Sequence, residues 1–470
     1  MRISLVGHAA ILIETRGVRL LSDPWWEGPC FGAQWWLHPA ADLAPLREAP
    51  PDFIYISHGH SDHLHAGTLR RLPKSAKVIV SSASDLAAPI AQMGFEVSTL
   101  APMERREIAP GVRVEITPTC GDDTLMAVDD GDEVCLNLND ALHAAPHAVR
   151  RDMTRYLIER YGKPDYVFCG YGTASHFPNC YQVPGKDKVA SAIKRQHHFN
   201  RAWTSVIAGL APRFAFPFAA DVVLLQDDLL WLNEPVHNTE RPTDLFCRLH
   251  PAADTRVYDP APGFTVENGR VVREVLFEPV SLDALRRTRA ADIETANKFT
   301  APPRAQVEEL ADKLRENVTT CRRYLAEHGG NYSILVTLNG AAEAISIAKH
   351  GASIDVQVVP LPAAAQPDLI FTTRYSYLRR ALTTPYGHET IFVGSGGIWS
   401  YRDRGVAAAH LHRELAVLLR KQITPPRSRF GEQPPWLYQA KQKIARAMGR
   451  RPNTLYDLAA WTVLIGAQLG

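Results

Sequence analysis

A short apolar run, Phe53 to Ile56, is followed at once by His58-x-His60-x-Asp62-His63, three histidines and an aspartate within six residues. The run reads as a buried strand, and the chain turns just past its end. There His58 and His60 can converge on one point, and Asp62 and His63 on a second point beside it. Imidazole and carboxylate suit borderline and harder divalent metals. The spacing therefore predicts a metal site with room for two ions at the end of a strand.

Around this segment the chain alternates strands and helices. Residues 9–13 and 18–21 flank Arg16-Gly17, a hairpin signal, and residues 77–80, 111–117, 125–128, 134–138, 166–169 and 213–218 read as further strands. Helical periodicity covers 83–93, 144–161 and 186–210. The pattern predicts an α/β protein of two mixed sheets sandwiched by helices. At 470 residues two domains are expected, divided here as 1–280 and 281–470. A net charge of +2 points neither to nucleic acid nor to an acidic membrane surface. The seven cysteines are scattered without a CxxC pair, as expected of reduced thiols in a cytoplasmic protein. The start at Met1 reads as a strand and not a signal peptide, and Leu458 to Leu469 is too short to span a bilayer.

Asp140, just past the apolar strand Val134 to Leu138, is the candidate for a carboxylate bridging two metals. The hairpin Gly7 to Ile13, the turn Leu21-Ser-Asp-Pro24 and the histidine cluster together resemble the metallo-β-lactamase fold superfamily, over roughly residues 1–280. The resemblance implies an αββα sandwich, with Asp140 in the bridging position and Asp62 and Asp140 as catalytic carboxylates. One departure matters more than the matches. Where hydrolases of that superfamily supply a further histidine, residues 66–142 contain none, and the turn carries Asp122 and Asp123 instead. A carboxylate in place of imidazole hardens the site and stabilises a higher oxidation state of the metal. That favours two irons over two zincs, and the di-iron oxygenases of this fold from antibiotic pathways are similar in this respect. The segments Gly170 to Tyr181, Pro217 to Ala220 and Leu232 to Asn238 resemble the hydroxylases of CMP-linked sialic acid. Those hydroxylases carry a Rieske module with paired Cys-x-His motifs, a pattern missing from these 470 residues. Electrons would then come from a separate protein. For the last ligand, His237 is preferred over Asp221 and His176, with His176 lining the substrate side. His197-His198, within a helix, reads as structural.

From about residue 300 a second body is expected: a helix over 305–327, strands over 332–338, 344–349, 353–359 and 369–373, a helix over 375–382, and helices from about 405 to the end. It resembles the sterol-carrier-type α+β fold, and would serve a substrate pocket or a homodimer. Aromatic residues Trp25, Trp26, Phe31, Trp35, Trp36, Tyr171, Phe177 and Tyr181 are expected near the mouth of the site, suiting a bulky apolar substrate. The functional expectation is a monooxygenase that uses O2 on an unactivated C–H bond, on the pattern of the diterpenoid hydroxylases, with a substrate free or linked to a carrier or CoA. The rival is a dinuclear zinc or manganese hydrolase of esters or phosphodiesters.

Overall fold

In the computed structural model, the described residues are 1–119, 123–145, 147–172, 175–327, 330–363, 366–384 and 387–405, with Leu415, Leu418 and Leu419. Asp122 lies outside them, as does almost all of the region from 405 onward.

Two sheets form the first body. One has eight strands in the spatial order 270–273, 265–267, 2–7, 10–15, 18–22, 53–55, 77–81 and 96–100. Its early strands pair antiparallel, and from 18–22 onward the pairing is parallel. The other has seven, in the order 256–257, 214–218, 166–170, 134–139, 124–129, 112–118 and 105–109. The hairpin at Arg16-Gly17 forms as expected, both residues having positive φ.

Period-two alternation explains why the sheets stack. Leu5, Ile11 and Ile13 face Val114, Ile116, Phe168, Phe214 and Phe216 in the space between the sheets. Their neighbours Val6, Ala10 and Leu12 point the other way, into an outer layer closed by helices Ala66–Arg71 and Ala87–Ala91. On the far side, Ala127, Leu136, Val167 and Ala215 meet Met153 and Leu157 of helix His147–Tyr161 and Trp203, Ile207 and Leu210 of helix Lys188–Leu210. The layers are thus helix, sheet, sheet, helix. The expected helix over 83–93 is present only as its central turn.

The third sheet has six strands, ordered 181–182, 397–401, 369–373, 332–338, 343–350 and 353–360. Helix Arg304–Glu327 covers it with Val307, Leu310, Ala311, Leu314, Cys321 and Leu325, the three-four spacing of one apolar face. Its edge strand, Tyr181–Gln182, comes from the first half of the chain and pairs parallel with Trp399 and Ser400. Strand Trp35–Leu37 pairs with Val222–Leu224, and helices Leu282–Thr288 and Ala290–Asn297 pack on Trp36, Val223 and Leu225. Among the described residues no helix is long and apolar enough to cross a membrane.

Candidate metal centre

Every chemically active side chain at the centre leaves the end of a strand at the same edge of the sandwich. His58 to His63 follow strand Phe53–Tyr55, Asp140 follows Val134–Asn139, and Asp123 precedes Thr124–Asp129. His8 turns out of strand Arg2–Gly7 with φ +45. Three ligand groups result, each with its donor atoms within 4.8 Å of one another: His58, His60 and Asp123; His58, His63 and Asp140; and His8, Asp62 and His63. In the first, His58 Nε2 lies 2.7 Å from His60 Nδ1 and 3.8 Å from Asp123 Oδ1. In the others, His63 Nε2 lies 3.2 Å from Asp62 Oδ2 and 3.5 Å from Asp140 Oδ2, and Asp62 Oδ2 lies 3.1 Å from His8 Nε2. His58 and His63, with ring centroids 4.1 Å apart, join the groups.

The residues fit a metal pair on a specific observation. Asp62 Oδ1, His63 Nε2, Asp140 Oδ1, His8 Nδ1 and His143 Nδ1 are buried yet have no hydrogen-bond partner among the described residues. Burying so many orphaned polar atoms is costly. Asp62, His63 and Asp140 each also offer a donor atom to groups whose donors lie within 4.8 Å of one another, as the ligands of an ion do.

Surrounding residues hold this arrangement. Asp23 is fully buried: its Oδ2 lies 3.2 Å from His63 Nδ1 and accepts a hydrogen bond from Asn139 Nδ2, while its Oδ1 accepts from the Ser57 amide at 2.8 Å. One carboxylate thereby ties the histidine loop to the strand end that carries Asp140. Ser57 Oγ, 2.9 Å from His58 Nδ1, leaves Nε2 of that ring for the metal side. Such outer partners fix tautomer and orientation. Electrostatics follow from the geometry. Burial, then the neighbouring His63 and His60, holds His58 well below the ordinary histidine value. Burial acts on His63 in the same sense, but Asp62, Asp140 and Asp23 together outweigh it and raise its pKa well above the ordinary value. Asp62 and Asp140 are both shifted down: burial opposes ionisation, and His63 overrides it in each case.

His58, His60, Asp62, His63, Asp123 and Asp140 are thus brought together. His237 is not. Its Nε2 is 2.8 Å from the Val222 carbonyl and its Nδ1 3.5 Å from Asp221 Oδ1. Asp221 is itself held by Tyr171 at 2.6 Å and by Arg241 at 3.4 Å. The imidazole that the fold does bring beside Asp140 is His143. Its Nε2 sits 2.9 Å from the Gly172 carbonyl, which leaves Nδ1 with its lone pair. A Cβ placed on Gly170 would lie 2.9 Å from that Nδ1 and 3.1 Å from Asp140 Oδ1, so the two groups share one small space. His8, Asp23 and His143 were not among the expected site residues. The first two stand in the very hairpin and turn that carried the resemblance, and His143 follows Asp140 by three residues.

The expected substrate residues are also relocated. Trp25 is fully buried, its ring 5.1 Å from that of His8 in an edge-on packing. Trp26 packs on the outer core with Leu43 and Leu64. His176 is bound to the Phe392 carbonyl at 3.0 Å and lies 3.2 Å from Tyr181 Oη, and both side chains are buried beneath the third sheet. Of the eight expected aromatic residues, Trp35 and Tyr171 line the cleft that opens onto Asp62, Asp140 and His143. The rest of its wall mixes Val222, Leu224, Leu232 and Val236 with Asn179, Arg195, Gln196 and Arg241.

Several known proteins are similar to parts of this chain. A 251-residue stretch is 30% identical to a protein of Mycobacterium tuberculosis described as a Rieske 2Fe-2S iron–sulfur protein, covering 50% of this chain and 46% of that one. The cytidine monophosphate-N-acetylneuraminic acid hydroxylase of Asterias rubens is 39% identical over 92 residues, 19% of this chain and 14% of the hydroxylase. The chain thus spans about half the length, or less, of these relatives. Among solved structures, an isothiocyanate hydrolase from Delia radicum gut bacteria overlaps 57% of this chain and 99% of its own, with 15% identity and a TM-score of 0.39. Residues 2–141 match the beta-lactamase superfamily domain. That stretch is similar to the beta-lactamase superfamily domain, and the sandwich built around its histidine cluster has the metallo-β-lactamase fold.

Proposed function

We propose that the chain is a non-haem di-iron monooxygenase that hydroxylates a C–H bond. The observation that carries this reading is the first ligand group, in which His58 and His60 are joined by the Asp123 carboxylate and not by a third imidazole. The hard oxygen donor favours iron in its higher oxidation states. Similarity to a hydroxylase and to an iron–sulfur protein supports redox chemistry over hydrolysis. Two irons held there would supply the reductive activation of O2: one oxygen atom enters the substrate as hydroxyl, and the other leaves as water with two electrons and two protons from a donor. No paired Cys-x-His motif lies in these residues, so the donor sits outside them.

The chain's own residues set the geometry. Asp23 and Ser57 hold the two rings that face the metals, Asp62 is oriented by His8, and Asp140 lies between His63 and the cleft. The cleft wall carries apolar side chains together with Arg195, Gln196 and Asn179. That suits an amphiphilic substrate, a polycyclic terpenoid acid or its carrier-linked form, better than a purely apolar one.

The test is metal quantification on protein purified without chelators, with optical spectra before and after reduction and on exposure to O2. Two irons per chain and a ferric charge-transfer band that bleaches on reduction are expected. Asp123→His should shift preference toward zinc and abolish the O2-dependent spectral change. Two zincs in the wild type, together with turnover of simple esters, would overturn the reading in favour of a hydrolase.

A further inference from the structure

The short helix Glu389–Phe392 belongs to the C-terminal half, yet it is pinned against the metal loop. Gln34 Nε2 donates to the Thr390 carbonyl at 2.8 Å, and the backbone N–H and Nδ1 of His176 contact the Phe392 carbonyl at 2.9 and 3.0 Å. Cys180 Sγ contacts the Ser395 carbonyl at 3.4 Å. Gly394 is packed so closely that a Cβ there would lie 2.6 Å from Phe31 Cβ. The loop from Cys30 to Gln34 is in turn fixed to the histidine segment, since the Phe31 amide donates to Ser61 Oγ at 3.0 Å.

This framework leaves little freedom to Glu389, which is 8% exposed. Its Oε1 lies 3.9 Å from His60 Nε2, while His60 Nδ1 is 2.7 Å from His58 Nε2. His60 therefore turns one ring nitrogen to the first ligand group and the other to a buried carboxylate supplied by a different part of the fold. A metal-binding imidazole whose outer N–H faces a carboxylate is fixed in tautomer and made a stronger donor. His63 has such a partner in Asp23, and His58 has the Ser57 hydroxyl in that place. Glu389 faces the outer nitrogen of His60 from 3.9 Å, an ion-pair distance and not a hydrogen bond.

We propose that Glu389 is a positioning residue of the metal centre. It fixes His60 from the C-terminal half, so that the first metal position is complete only when that half is docked. The proposal rests on the two-metal reading of the site. It is tested on the full chain, stripped of metal, by titration with cobalt(II) followed by visible absorption, alongside the melting temperature of the metal-free protein. Wild type should bind two cobalt ions. E389Q should keep the metal-free melting temperature and the second ion, but bind the first about 10- to 100-fold more weakly with an altered ligand-field band. E389D should recover part of the loss. If E389Q and E389A titrate like wild type with the same spectrum, the role of Glu389 is refuted while the two-metal site stands. If both ions are lost together with a lowered metal-free melting temperature, Glu389 is only structural and the proposal fails. If wild type binds no cobalt, the two-metal reading falls, and this inference with it.

Discussion

At the scale of single residues, the centre is a set of opposed charges held in a dry place. In the metal-free protein the raised pKa of His63 stabilises the fold below the ordinary value of 6.5, and that contribution is lost as pH rises through the raised value. The depressed pKa of Asp62 contributes above the ordinary 3.8 and is lost as pH falls through the lowered value. Both contributions are present together between about 4 and 6.5. His58 and His143, held below the ordinary histidine value, must charge on unfolding and so lose stability as pH falls below 6.5. Metal-free protein should therefore melt highest near pH 6.5 and lose the His63 contribution as pH rises further. A metal must displace the His63 proton, so metal-induced stabilisation should grow over the same range. Melting curves with chelator and with added metal check this, and a metal-induced gain that shrinks as pH rises would contradict it. The gathering of these donors was legible because four of them in six residues have few other uses. His237, expected on a loop, ends the short helix Asn233–His237 and lines the cleft without joining the three ligand groups, and nothing local in the sequence signals its partners. Only the fold shows that the Val222 carbonyl and Asp221 occupy its two nitrogens. The reach from Asp23 to Asn139 likewise spans 116 positions, beyond any local pattern.

At the scale of elements, the strand ends that carry the ligands tolerate little change. A Cβ on Gly170 would stand 2.7 Å from the Asn139 carbonyl, which is main chain and cannot swing aside. Gly170→Ala should push the Asp140 strand end and His143 apart, cost about 1–3 kcal/mol, and lower the metal content from two ions toward one. Metal analysis and a denaturant titration read the two effects, and a variant with full metal content and unchanged stability would refute the crowding argument. Strands were well signalled wherever alternation met a buried face: 332–338 and 369–373 have the expected bounds, and helix 304–327 is shifted by one residue. The short helix Glu389–Phe392 was not legible as a wall of the metal site, because what it touches is set by the docking of the third sheet. The cluster of tryptophans misled for a related reason. Their number suggested a mouth, whereas Trp25 fills a junction between the aromatic loop, His8 and the third sheet's core.

At the scale of the whole molecule, the two halves share a core. Trp25, Phe31, Trp35 and Tyr181 from the first half lie in one apolar cluster with Val307, Phe371, Phe392 and Trp399 from the second. Thermal unfolding of the metal-free chain should accordingly be one cooperative transition, with tryptophan fluorescence and far-ultraviolet dichroism coinciding. Two resolved transitions would show that the halves unfold separately. The sharing also has a consequence in time. The contact between His176 and the Phe392 carbonyl spans 216 positions, which a ribosome covers in roughly ten to forty seconds. His8 through His143 emerge well before Glu389, so a nascent chain can gather the candidate metal-binding side chains while the place of its last wall is still open to solvent. Synthesis order thus leaves an interval in which an ion can enter from the side that Glu389 and its helix later cover.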